Sequence, residues 1–265
     1  MRFGISTHLF HDQRLSREHL ALVAGHGFDA VEVFATRSHF DYHDPAAIAE
    51  LGTWLKETGL ALHGIHAPAT VSNGVSDNAR RQAAVKEADA ALEIARRLPA
   101  DVFVVHLGTP AAQGGENSRA AAFRSAEEIC RLAEPIGIRV ALEIIPNPLS
   151  DAESLVTMLE RDLDAPRAGI CLDFGHAFLM GDVADTIETV AEHLITTHVH
   201  DNAGKKDDHL VPFAGRINWD VALMTMQKVG YDGTYLMELA NTGAPAEVLA
   251  KAQAARTRFE KLMAY

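Results

Sequence analysis

Eight times along 265 residues a short β-branched apolar run is followed by a longer amphipathic one, and no other feature of the sequence constrains its fold so tightly. The short runs fall at Arg2–Ser6, Ala30–Phe34 (AVEVF), 60–66, 102–106 (VFVVH), 138–143, 168–172, 195–200 and 234–238. Helices are predicted between them at 16–26, Pro45–Thr58, 77–98, 117–134, from 150 or 151, then 183–194, 219–229 and 245–263. Ser16 and Asp44 stand at N-cap positions, Pro45 at a first helical position, Gly25 and Gly27 at a helix end, and S-D-A-E at 150–153 reads as a capping box. Several strands are continuous apolar runs, as expected where both faces are covered. The rhythm predicts an α/β fold, a single (β/α)8 TIM barrel spanning 1–265, with the active site at the C-terminal ends of the strands. A doubly wound open sheet is the alternative, but it gives no reason for eight repeats.

The strand tips carry the chemistry. Strand three ends at His66, four at His106, five at Glu143, six at Asp173 with His176 just beyond, seven at His198 and eight at Glu238. Any one of these alone reads as a satisfied core histidine or an ion-pair partner. Six consecutive tips bearing hard-oxygen or imidazole donors read instead as a divalent metal site. His198 and His200 share a strand face, so one is a ligand and the other a substrate or supporting contact. The loop DNAGKKDDH adds Asp207 and His209, which are either two more ligands or a solvated polar loop. Lys205 in the same loop is a candidate substrate contact, with surface charge as its plainer reading.

Composition narrows the function classes. The formal charge of −12, from 24 basic against 36 acidic side chains, opposes a polyanion at long range, so nucleic acid is not favoured. No apolar run approaches membrane-spanning length, and Met1 leads straight into the first strand without a secretory pattern, which makes the cytoplasm the expected location. Cys130 and Cys171 fall in a helix and a strand and are expected to be buried free thiols.

The motifs HAP, VVHLG, ALEI, CLDFGHA, HVHDN and GRINWDVALMTMQKVGYDGTYLMEL together resemble the xylose-isomerase-like TIM-barrel superfamily, which includes sugar and sugar-phosphate isomerases and epimerases and the endonuclease IV type of AP endonuclease. The resemblance implies a core metal site on Glu143, Asp173, His198 and Glu238, with Glu143 and Glu238 also serving as acid and base and His176 contacting a substrate oxygen. Its endonuclease branch adds metal ligands that fall on His66, His106, His176, Asp207 and His209, all filled here with the matching type. The chain departs from ketose epimerases of this type at Leu149 and Gly204, where those carry Glu and Arg, which counts against a free ketose 3-epimerase specifically.

The expected activity is a sugar or sugar-phosphate isomerase or epimerase that moves a proton α to a carbonyl through an ene-diolate, using Mn, Zn, Mg or Co, with room for more than one ion. His200 and Lys205 are the expected substrate contacts. The alternatives are an endonuclease IV-like multinuclear zinc phosphodiesterase, a lyase or dehydratase on the same ligands, and a non-catalytic metal-binding protein. The expected partner is a small sugar-like molecule. Related barrels often form dimers or tetramers, so a homo-oligomer is allowed, although no residue marks an interface.

Overall fold

The computed structural model describes residues 2–111 and 117–264. Eight parallel strands close on themselves in sequence order: β1 (Arg2–Ser6), β2 (Ala30–Phe34), β3 (Ala61–His66), β4 (Val102–Val105), β5 (Arg139–Glu143), β6 (Gly169–Asp173), β7 (Leu194–Val199) and β8 (Thr234–Met237). Closure is made by β1, whose Arg2–Ile5 backbone pairs with Thr234–Met237 while Gly4–Ser6 pairs with β2. Strand placement agrees with the sequence to within a residue at each end, and His106, His200 and Glu238 prove to lie just past the last paired residue of their strands.

Period-two alternation decides which side chains face the barrel axis. Phe103, Val105, Val140, Leu142, Ile170 and Leu172 join the large apolar layer beneath the helices, whereas Val102, Val104, Ala141 and Cys171 form a separate small cluster inside the barrel. The inward positions above that cluster are Glu143 on β5 and Asp173 on β6, each two residues beyond an apolar one. Two register steps adjust this pattern. Between Val31 and Glu32 of β2 the partner strand β3 carries one extra residue, and between Ile170 and Cys171 of β6 the partner β7 does the same. The extra residue in β3 lets His63 and His66, three apart, both face inward.

The outer helices follow the expected positions with trimmed ends. The segment expected at 77–98 is helical over Arg81–Arg97, with a short turn of helix at Ala69–Ser72 before it. The segment expected at 117–134 is helical over Arg119–Ala133, capped by Ser118. The helix placed at 150 or 151 is capped by Asp151, which accepts from Ser154 N. One helix was not anticipated: Phe174–Met180 starts directly from the β6 tip, with Asp173 as its N-cap accepting from His176 N at 2.7 Å. Gly175 permits that turn, because a Cβ there would fall 2.0 Å from the His200 ring. Among the described residues no helix is long and apolar enough to cross a membrane.

Candidate metal centre

The C-terminal mouth of the barrel holds a cleft of about 270 Å³ lined by His66, His106, Glu143, His176, Asp207, His209 and Glu238, with His8, Phe34, Asn73 and Thr109 at its rim. Glu143 sits at its floor, fully buried. Its Oε2 lies 2.9 Å from His106 Nε2, 3.2 Å from His198 Nδ1 and 3.4 Å from His66 Nε2. His198 Nδ1 is also 3.4 Å from Glu238 Oε2 and 4.0 Å from Asp173 Oδ2. Donors held about 2.0–2.2 Å from one ion stand about 3–3.5 Å from one another, so these separations are those of a ligand shell.

The hydrogen positions sharpen this. A backbone carbonyl only accepts, so Nδ1–H of His66 donates to Ala67 O at 2.9 Å, that of His176 to Ile144 O at 3.0 Å, and that of His209 to Glu238 O at 3.0 Å. Each ring therefore turns Nε2 toward a carboxylate: His66 toward Glu143, and His176 and His209 toward Asp207 Oδ2 at 3.1 and 2.9 Å. A lone pair facing a carboxylate oxygen at such distances needs a proton or a cation between them. Both Glu143 oxygens, His198 Nδ1 and His106 Nε2 are buried without a hydrogen-bond partner among the described residues. Orphaned donors of this kind, aimed at a common volume, fit a divalent ion.

Without an ion, protons hold the cluster together. Burial opposes charge on His66, His176 and His209, but the facing carboxylates prevail and raise these rings to about 9, 10 and 9. His198 is likewise raised against the penalty of burial. Burial pushes Glu143 and Glu238 toward the neutral form, and the surrounding imidazoles outweigh it and lower both. His8 behaves oppositely: burial lowers it to about 4, so it faces the cleft as a neutral ring.

All nine candidate ligands named from the sequence meet at this mouth, in overlapping groups. The core is Glu143, Asp173, His198 and Glu238; His66 and His106 gather on one side of Glu143; His176, Asp207 and His209 form a triad on the other. His200 is fully buried behind the core, where its Nε2–H donates to Asp173 Oδ2 at 2.9 Å and its ring stacks on His209. Lys205 is exposed on its loop and does not line the cleft. Cys130 and Cys171 are free, and burial raises both thiols.

The loop that delivers Asp207 and His209 is tied down by a residue the sequence reading passed over. Asp201 is fully buried, and its carboxylate accepts from the backbone N–H of Asn202, Phe213, Arg216 and Ile217 and from Trp219 Nε1–H. Asp201 and Leu210 also exchange two backbone hydrogen bonds of 2.8 Å, and His209 itself adopts a left-handed φ of 45°. Glu32 and His8 were missed as well. Glu32 was legible as the one charged residue in AVEVF, and His8 lies just past the tip of β1, where the rule applied to strands three to eight would have found it.

The sequence model of the family described as xylose isomerase-like TIM barrel matches residues 20–260. The chain is 32% identical over 252 residues to the uncharacterized protein MJ1311 of Methanocaldococcus jannaschii, covering 91% of this chain and 84% of that one. It is 21% identical over 237 residues to an inosose isomerase of Bacillus velezensis, covering 84% and 82%. Among solved structures, a D-tagatose 3-epimerase-like protein superposes with a TM-score of 0.83 at 28% identity, covering 100% of this chain and 98% of that chain.

Proposed function

Because the chain belongs to the xylose isomerase-like TIM barrel family, we propose that it is a divalent-metal-dependent isomerase or epimerase acting on a small sugar or sugar-like polyol. The observation that carries this reading is the pair of carboxylates at the end of β5 and just past β8, Glu143 and Glu238, converging on His198 Nδ1 at 3.2 and 3.4 Å. The relatives named as an inosose isomerase and a D-tagatose 3-epimerase-like protein support the same class. The cleft of about 270 Å³ lies at the small end of ligand sites, which run from about 300 Å³ upward, and so favours a single ring over a chain.

Glu143, Asp173, His198 and Glu238 would hold a divalent ion, which would supply Lewis-acid polarisation of a carbonyl and its neighbouring hydroxyl. The chain's own groups do the proton work. One of the two glutamates takes the proton from the carbon next to the carbonyl. The other, having acquired a proton from solvent, returns one to the opposite face, or to the carbonyl carbon while the neighbouring hydroxyl's proton passes to the former carbonyl oxygen; the first glutamate then gives its proton to solvent. His176, its Nδ1–H committed to Ile144 O, would contact a substrate oxygen by exchanging its Nε2 partner Asp207 for that oxygen, and His200 keeps Asp173 in place.

The test is carbonyl-α proton exchange in D2O across a panel of ketoses and inososes, with metal content measured in parallel. Exchange that requires the ion and disappears with chelation is the expected result. Absence of exchange together with ion-dependent cleavage of abasic-site DNA overturns the reading. That second outcome belongs to a multinuclear zinc phosphodiesterase, a reading favoured by one observation, the His176–Asp207–His209 triad beside the core. Three bound ions per chain would speak for it.

A further inference from the structure

Behind His198 stands a carboxylate that the ligand set leaves without a task. Glu32 is fully buried in the middle of β2, where an unpaired charge would cost several kcal/mol. Both of its oxygens are engaged. Oε1 accepts from the Ser6 hydroxyl at 3.0 Å, and Oε2 accepts from His198 Nε2–H at 3.1 Å. The barrel wall is shaped around it: the register step beside Glu32 places Gly64 opposite, and a Cβ on Gly64 would press to 3.1 Å from Glu32 Oε2.

A neutral imidazole has a single N–H. Committing it to Glu32 leaves the lone pair on Nδ1, the atom aimed at Glu143 and Glu238. Glu32 does not line the cleft, and the candidate ligand it hydrogen-bonds is His198.

We propose that Glu32 is a positioning residue that fixes the tautomer and orientation of His198 and strengthens its Nδ1 as a donor to a divalent ion. The proposal rests on the metal-centre reading above. Carboxylates placed behind a ligating histidine raise metal affinity by about 10–100-fold.

The experiment measures Zn2+ and Co2+ affinity of the full chain by competition with a chromogenic chelator, together with the melting temperature of each ion-free variant. Glu32→Gln keeps the shape and one accepting oxygen but removes the charge, and is expected to weaken binding by about 10-fold with the ion-free melting temperature unchanged. Glu32→Ala removes the partner altogether and is expected to approach a 100-fold loss, about the upper end of such effects, with an altered Co2+ visible spectrum. Ser6→Ala, which frees Glu32 without discharging it, should fall between native and Glu32→Gln. A structural role alone would lower the melting temperature and leave the affinity of Glu32→Gln at the native value, which overturns the proposal. Native-like affinity in both Glu32 variants overturns it too, while leaving the metal centre standing. Failure of the native chain to bind either ion removes the metal-centre reading and this proposal together.

Discussion

At the scale of single residues, the cluster is governed by what lies between facing acceptors. Protons occupy those gaps in the ion-free chain, and they must leave when an ion enters. With His66, His176 and His209 raised to about 9, 10 and 9, Zn2+ uptake near pH 7.5 is expected to release protons. Calorimetric enthalpies in buffers of different ionisation heat would reveal it; enthalpies independent of buffer would contradict it. The stability consequence follows from the same shifts. Groups raised above the unfolded value of about 6.5 stabilise the fold fully below that value and cease to do so as pH rises through 9–10. The ion-free chain should therefore melt progressively lower above pH 8, and the loaded chain, which has no such protons to lose, should not. Glu238→Gln tests the chemistry: the amide keeps the shape but cannot serve as a base, so turnover is expected to fall by about 10²–10⁴-fold with little change in melting temperature. Near-native turnover would place the base elsewhere. His66 and Glu238 were readable in the sequence because each occupies a strand tip, and His176 because it follows one closely. Glu32 was not selected because it lies one turn of the pleat deeper, where only a charge in an apolar run marks it.

At the scale of elements, strands were easier to read than the devices that aim them. Continuous apolar runs such as VFVV give a strand from composition alone, whereas the extra residues in β3 and β7 leave no trace in the hydrophobic pattern. The helix Phe174–Met180 was hidden for a related reason: Asp173 serves at once as strand tip, candidate ligand and N-cap, and FGHAFLM has no separate start signal. The 201–217 loop was open in the sequence, where Asp207 and His209 could be ligands or merely polar. Its placement depends on Asp201, a short carboxylate that replaces a secondary-structure scaffold with five accepted hydrogen bonds. Asp201→Ala would strand several buried donors, each costing about 1–3 kcal/mol, and is expected to lower stability clearly and displace Asp207 and His209 from the cleft. Chemical denaturation and metal counting check both parts: an unchanged midpoint, or retention of all bound metal, would show that the loop is held by other contacts.

At the scale of the whole molecule, one end of the barrel gathers the histidine–carboxylate cluster and the other is plugged. Beneath the apolar interior, Arg2 on β1 reaches His63 Nδ1 at 2.9 Å, Asp101 at 2.7 Å and Thr234 at 2.9 Å, while His63 Nε2 bonds Thr196 Oγ1 at 2.8 Å across the barrel. The hydrogen bond from His63 lowers Asp101 to about 2 despite partial burial, with Arg2 assisting. A carboxyl lowered in this way stabilises the fold above its unfolded value and loses that contribution as pH falls through about 2. Because the Asp101 side chain is half exposed, Asp101→Asn should cost no more than about 1 kcal/mol at neutral pH, and should flatten the decline in stability between about pH 4 and 2. Urea midpoints across that range would decide it; parallel acid profiles for native and variant would assign the decline to other carboxyls.

The closing seam between β1 and β8 has a consequence for biosynthesis. During translation β1 emerges first and the strand it must pair with emerges last, so the cylinder cannot shut until Thr234–Met237 has left the ribosome. Glu238, the residue after that strand, completes the quartet at the same moment. A truncated product would hold Glu143, Asp173 and His198 on an unsealed sheet, without the carboxylate that β8 brings to them. The cluster at the barrel mouth is thus complete only in chains whose first and final strands have met.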